Sequence, residues 1–336
     1  MVATTSTKLL SSASQSTGST VAVIKGHDLR AMTLDALDAI GGIESVINPG
    51  DSVFIKPNFV ALEDRSKIRI GQCTKPEIVL TVAEECLKAG ASKVVIGEGA
   101  QETLIRWDET FTLDGTTNLI GGVAQLNRLY GDKVLLRSLN ASTPRWVFVP
   151  SRTEFRKLAV SSFATDADKV ISIPVLKTHH STAVTLSLKN FMGVTPIWLY
   201  GSPRLKLHGC DLGVEQCFLD VVKGIKPCLA IVDASIGAEG DAPAVGEGEG
   251  ITVNVKERIG GWLVIAGTDL VAVDSTATRI IGHDPRYVKH LREAFVQGMG
   301  EIREERIEVV GESIANVRMD WLPSGKSGYP QKEWER

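Results

Sequence analysis

From about residue 20 to residue 300, short runs of apolar, often β-branched residues alternate with stretches whose apolar positions recur every three or four residues. The first pattern predicts strands and the second predicts amphipathic helices. Strands are expected at 21–24, 52–55, 93–96, 169–176, 228–232 and 262–266. Helices are expected at 31–47, interrupted near Gly41 and Gly42, and at 76–89, 211–222, 270–281 and 285–296. The clearest is 76–89, where Ile78, Val79, Val82, Ala83, Cys86 and Leu87 share one stripe, Pro76 stands at the start and Gly90 follows the end. The run at 169–176 is nearly continuously apolar, as in strands buried on both faces, and Pro174 marks its end or an edge. Strand–helix–strand order at this spacing calls for parallel pairing, because parallel neighbours need a crossover. The expected fold is therefore α/β, a mainly parallel sheet flanked by helices. Its expected layout is two lobes with a cleft between them: a main domain at 19–226 and a smaller lobe at 227–315. Residues 1–18, mostly Ser, Thr and Ala, are expected as a disordered tail, and 316–336 as a loose one.

Composition supports a globular chain of this class. Of 336 residues, 43% are hydrophobic and 23% charged, only 6% are aromatic, and glycine numbers 32. No apolar run is long enough to span a bilayer, and residues 1–18 lack the apolar core of a secretion signal, so a cytoplasmic location is expected, without membrane partners. Five cysteines, Cys73, Cys86, Cys210, Cys217 and Cys228, form neither a C-x-x-C pair nor an iron–sulfur motif.

The net charge of −3 gives no general field for nucleic acid, but it hides an asymmetry. Between residues 169 and 210 there is no acid, while Lys169, Lys177, Lys189, Arg204, Lys206, His179, His180 and His208 all occur. Between 227 and 255 there is no Lys or Arg, and Asp233, Glu239, Asp241, Glu247 and Glu249 occur in the glycine-rich stretch 233–250, which is expected as a loop. Lys177-Thr178-His179-His180 follows one expected strand, Lys56 and Asn58 another, and Glu98 a third. Open α/β sheets bind ligands beyond the carboxyl ends of their strands. His179, Lys177 and Lys189 are thus the candidate catalytic groups, with Lys56, Asn58, Asn190, Glu98 and Arg204 as candidate substrate binders. Asp233, Glu239, Asp241 and His208 are candidate ligands for a divalent metal. Asp269 reads as a helix N-cap, Asp274 faces either solvent or the cleft, and His283 and His290 read as structural. Neither a dinucleotide fingerprint, a P-loop nor a G-x-S-x-G elbow is present.

K-P-N at 56–58, K-T-H at 177–179, S-L-K-N-F-M-G at 187–193, I-V-D at 231–233 with E-G at 239–240, and A-G-T-D-L-V-A-V-D at 266–274 occur in this order. Together they resemble the domain of unknown function 362 family over about residues 21–300. The resemblance implies an α/β fold and a shared site, without a settled reaction. Many relatives carry ferredoxin-like cysteine clusters, which this chain lacks. A more distant likeness is to lactate racemase and its relatives, whose site has a histidine, a lysine ten residues later tethering a nickel-pincer cofactor, and a metal-binding histidine. His179, Lys189 and His208 match that order. Thr185-Leu186-Ser187-Leu188 stands where those proteins have a glycine-rich approach to the lysine, and no histidine lies between His27 and His179 to act as the second acid–base partner that the likeness implies.

The expected function is that of an enzyme acting on a small anionic, carboxylate-bearing metabolite by acid–base proton transfer, of isomerase, epimerase or cyclase type, with His179 as the acid–base residue. Two alternatives stand beside it: a non-catalytic anion-binding or redox-accessory protein, and a metal-dependent racemase-like enzyme. A homo-oligomer is compatible with either class.

Overall fold

A computed structural model describes residues 18–59, 71–101 and 103–330. The tail expected at 1–18 lies, apart from Gly18, outside the described residues, as do the last six residues of the chain.

Thirteen strands are present among the described residues: β1 (Ser19–Gly26), β2 (Ser52–Pro57), β3 (Lys93–Glu98), β4 (Val134–Ser138), β5 (Trp146–Pro150), β6 (Lys157–Ser161), β7 (Lys169–Ile173), β8 (Val175–His179), β9 (Ala183–Val184), β10 (Leu229–Gly240), β11 (Gly250–Asn254), β12 (Trp262–Gly267) and β13 (Ile307–Gly311). The longer helices are α1 (Leu29–Ala39), α2 (Pro76–Lys88), α3 (Leu119–Tyr130), α4 (Val214–Ile225), α5 (Leu270–Ile280) and α6 (Lys289–Val296). One large sheet runs in the order β13-β1-β12-β10-β7-β2-β3-β4, with β8 and β11 also paired to β10 and β9 to β8. From β10 through β7, β2 and β3 to β4 every neighbour is parallel, as the crossover argument requires. β12 is antiparallel to both β1 and β10. Strands β5 and β6 form a separate hairpin.

The apolar runs are explained by burial on both faces. Val53 and Ile55 of β2 pack with α1, α2 and α3 in one core, while Phe54 between them packs with α4, α5 and α6 in the other. The alternation repeats at Ile171 against Val170 and at Ile231 against Val232.

Four differences from the sequence expectations have physical causes. The segments 19–226 and 227–315, expected as separate lobes, share one sheet: β10 and β12 lie between β1 and β7. The run 169–176 is two strands, because Pro174 breaks the ladder between β7 and β8. The glycine-rich segment after Asp233 is not a loop at its start; β10 continues to Gly240 and returns through β11, in a ladder pairing Ile236 with Asn254 and Gly240 with Gly250. Finally, the segment expected as a loose C-terminal tail is anchored as far as residue 330. The Trp321 side chain is fully buried, the Trp321 backbone N–H donates to Ile281 O (3.1 Å), and Leu322 N–H donates to Glu239 Oε2 (3.0 Å).

Candidate functional site

Because β2, β3 and β7 run parallel side by side, their carboxyl ends share one edge, and β8 carries the chain further along it. A cavity of about 540 Å³ opens there. It is lined by every residue expected in a catalytic or substrate-binding role: Lys56, Asn58, Glu98, Lys177, His179, Lys189, Asn190 and Arg204, together with His180 and His208.

Four of these form its frame. Lys56 is buried at the end of β2, and its Nζ donates to Pro57 O (2.6 Å) and Asn190 Oδ1 (3.3 Å) and pairs with Glu98 Oε2 (2.7 Å). Burial pushes its pKa down, against the raising effect of Glu98. Glu98 also accepts from Phe59 N–H and Gly99 N–H, both at 2.8 Å. Asn190 Nδ2 donates to Lys56 O (2.8 Å) and Ser172 Oγ (3.1 Å). Gly193 closes over this pair: a Cβ there would lie 2.4 Å from Glu98 Oε1 and 2.6 Å from Lys56 Cε. Arg204 is buried, and its guanidinium donates to the carbonyls of Gly99, Ala100 and Thr195. Burial lowers its pKa to about 10. These side chains, expected as substrate binders, hold one another and the backbone.

The reactive face is made by the others. Lys177 of β8 is fully buried; its Nζ donates to Asn58 Oδ1 (2.6 Å) and Gln72 O (3.2 Å). Burial lowers its pKa to about 7, with the cations Lys189 and Lys75 acting in the same direction. His179, at the end of the same strand, accepts the Ser181 N–H on Nδ1 (3.0 Å). Burial, then Lys189, holds its pKa well below the histidine value, so the ring is neutral. Since Nδ1 is an acceptor, the ring proton is on Nε2. His179, expected as the acid–base residue, is therefore presented with Nε2–H as a hydrogen-bond donor. His180 stacks on it, ring centroids 4.4 Å apart. Lys189 is lowered to about 8 by burial and Arg204, and His208 to about 4 by burial and Lys189. Among the described residues, Lys189 Nζ makes no hydrogen bond or ion pair.

Lys189 is aimed by a residue the sequence left ambiguous. Asp274 faces neither solvent nor the cavity. Its buried carboxylate accepts from Ser187 N–H (2.8 Å), Ser187 Oγ (2.6 Å) and Leu188 N–H (3.0 Å), clamping the helical turn Leu186–Lys189. Burial raises its pKa to about 7. Asp269 is the N-cap of α5, accepting from Ala272 N–H (3.0 Å), as its position indicated. Sequence reasoning missed Ser181, which orients His179, and Lys75, whose buried ammonium lies 3.4 Å from Asp233 Oδ2. Ser181 has no signature beyond its place after the two histidines, whereas Lys75 precedes the proline that opens α2.

The four expected metal ligands are not gathered. Asp233 accepts from Lys75 N–H (2.9 Å) and from Ser235 Oγ (2.5 Å) and N–H (3.1 Å). Glu239 is paired with Arg258 (2.9 Å), and Asp241 accepts from Ser324 Oγ (2.6 Å) and lies 3.4 Å from Lys326 Nζ. His208 lines the cavity without them. Asp233 and Glu239 both lie on β10, and neither lines the cavity. Nor is the racemase arrangement completed. With His208 as metal ligand, the second acid–base histidine would be His180, stacked on His179, or His27, which is exposed just after β1.

The chain is 29% identical over 256 residues to a thylakoid-associated protein of Synechocystis, an alignment covering 74% of this chain and 68% of the relative. Among solved structures it is similar to the lactate racemase apoprotein of Thermoanaerobacterium thermosaccharolyticum, with a TM-score of 0.36 and 9% identity. It is also similar to a Thermotoga maritima protein, with a TM-score of 0.41 and 12% identity. The superpositions cover 70% and 76% of this chain but only 54% and 60% of those two proteins, and at these scores they have no bearing on function. No helix among the described residues is long and apolar enough to cross a membrane. The profile of one family, the domain of unknown function DUF362, matches residues 53–279, and its span runs from β2 through the whole cavity to α5: the chain belongs to the DUF362 family.

Proposed function

We propose that the cavity is an active site that takes a small carboxylate-bearing anion and moves a proton on the carbon beside its carboxylate or carbonyl group. The observation that carries this reading is Lys177. Its amine is held in place by Asn58 and Gln72 with a pKa of about 7, so that ammonium and free amine are both populated at neutral pH. The cations of the site attract the anion. Lys177 as free amine takes the proton, and the Nε2–H of neutral His179 donates to the oxygen on which negative charge develops. Lys56, Glu98, Asn190 and Arg204 hold the walls.

The test is proton exchange in heavy water. The protein is incubated with a panel of 2-hydroxy and 2-oxo carboxylates, and loss of the C–H signal next to the carboxylate or carbonyl is followed by proton NMR. Exchange is expected for at least one member, with a rate that rises through about pH 7 as Lys177 loses its proton. Lys177→Met is expected to abolish it while the circular dichroism spectrum is kept. Undiminished exchange in that variant would overturn the role of Lys177. Tight binding of an anion without exchange at any pH would instead identify a binding protein.

A further inference from the structure

We propose that Lys189 is an imine-forming nucleophile, and that the anion taken by the cavity is an oxo acid, bearing a ketone or aldehyde near its carboxylate. This rests on the reading of the cavity as a proton-transfer site and names its substrate class. Of the cationic side chains in the cavity, Lys56 is bound to Glu98, Asn190 and Pro57, Arg204 to three backbone carbonyls, and Lys177 to Asn58 and Gln72. Lys189 is left with an amine that no described residue engages. Its backbone is fixed: Leu186 sits at φ +50°, a conformation rare for a side-chain-bearing residue, and the next two residues are tied to Asp274. The Lys189 amine is half-buried, and burial and the Arg204 charge lower its pKa to about 8 against the raising effect of Glu215, so it is deprotonated more readily than one at the surface, which is the condition for nucleophilic lysine.

In the first step the Nζ lone pair forms a bond to the carbonyl carbon as the C=O π bond breaks, and a proton passes from the attacking nitrogen to the carbonyl oxygen, giving a neutral carbinolamine. The hydroxyl then leaves as water, protonated by the Lys177 ammonium, and a C=N bond forms. Substrate and Lys189 lose one water in all. The positively charged imine withdraws electrons from the neighbouring carbon, so that its proton can pass to Lys177 as free amine. The substrate carboxylate is drawn by the charge on Arg204.

Borohydride trapping tests this. Full-length protein is mixed separately with pyruvate, 2-oxobutyrate and 2-oxoglutarate, reduced, digested and mapped by mass spectrometry. Reduction turns an imine into a stable secondary amine, a mass gain equal to the oxo acid less one oxygen atom. The expected result is label on the peptide holding Lys189 with at least one probe, and loss of that label in Lys189→Arg, which keeps the charge. No label with any probe, label spread over surface lysines, or label retained in Lys189→Arg overturns the proposal. The wild-type map decides even if the variant fails to fold. Exchange of the oxo acid's C–H by wild-type protein without any label overturns the imine alone; absence of both removes the underlying proton-transfer reading as well.

Discussion

Asp274 touches nothing in the cavity, yet it sets where Lys189 points. Three buried donors from Ser187 and Leu188 converge on its carboxylate, which among the described residues is the acceptor for both backbone N–H groups. Replacing it by Ala leaves these donors unpaired in the core, each worth about 1–3 kcal/mol when unsatisfied. Asp274→Ala is therefore expected to lower unfolding stability by about 3 kcal/mol in urea titration, and Asn, which keeps one acceptor oxygen, by less. A loss below about 1 kcal/mol would show that the clamp contributes little. Single residues show where sequence reading succeeded and where it stopped. Lys56, Glu98, Lys177 and His179 were legible because each lies at or just past the end of an expected strand, and parallel strands bring their ends to one edge. That Lys56 is held by Glu98 and Asn190, and so frames the cavity, depends on distances between residues 42 and 134 positions away in the chain. No local pattern encodes these.

Among the elements, the expected helices and buried strands follow their periodicity, α3, β4, β5, β6 and β13 were not expected, and two further departures occur where tertiary pairing overrides composition. Glycines and acids after Asp233 have low strand preference, but β11 supplies the backbone partners that make the segment a strand. The segment 319–330 is similar. Its glycines and prolines read as a loose end, and only the structure shows the strap made by Met319 N–H to Ile280 O (2.6 Å), Gly240 N–H to Leu322 O (3.0 Å) and Trp321 packed over Gly237. The Trp321 ring lies 2.8 Å from where a Cβ on Gly237 would stand, so the strap and the middle of β10 are fitted to each other. Trp321→Ala removes a fully buried indole, and losses of about 3–5 kcal/mol are usual for such truncations. The expected outcome is a lower urea midpoint together with faster proteolysis within 319–330. An unchanged midpoint would mean that the strap rests on the molecule without stabilising it.

The molecule as a whole keeps several histidines neutral inside a fold whose net charge is only −3. His283 is held at about 4 and His290 at about 3, both chiefly by burial, with Lys189 adding to the effect on His290. His290 packs edge-on against Phe218 of α4, ring centroids 5.3 Å apart, and neither of its ring nitrogens has a hydrogen-bond partner among the described residues. A folded pKa below the ordinary value of 6.5 means that the unfolded chain takes up the proton first. The stability associated with neutral His290 is thus complete above pH 6.5 and is lost as pH falls from there toward 3. Asp274 acts in the opposite direction: its raised pKa of about 7 means that the folded state binds its proton first, so the cost of its buried charge is relieved as pH falls below 7. Comparing wild type with His290→Leu cancels Asp274, which both share. At pH 7.5 the leucine is expected to match or exceed wild-type stability, since it fills an apolar contact with α4 and leaves no unpaired nitrogen. Below pH 6 the difference should grow in favour of the variant by about 1.4 kcal/mol per pH unit, the value for one proton, in urea titrations followed by tryptophan fluorescence. Parallel pH profiles for the two proteins would mean that His290 finds a proton partner in the fold, and the acid sensitivity would then belong to His283 and the cavity histidines.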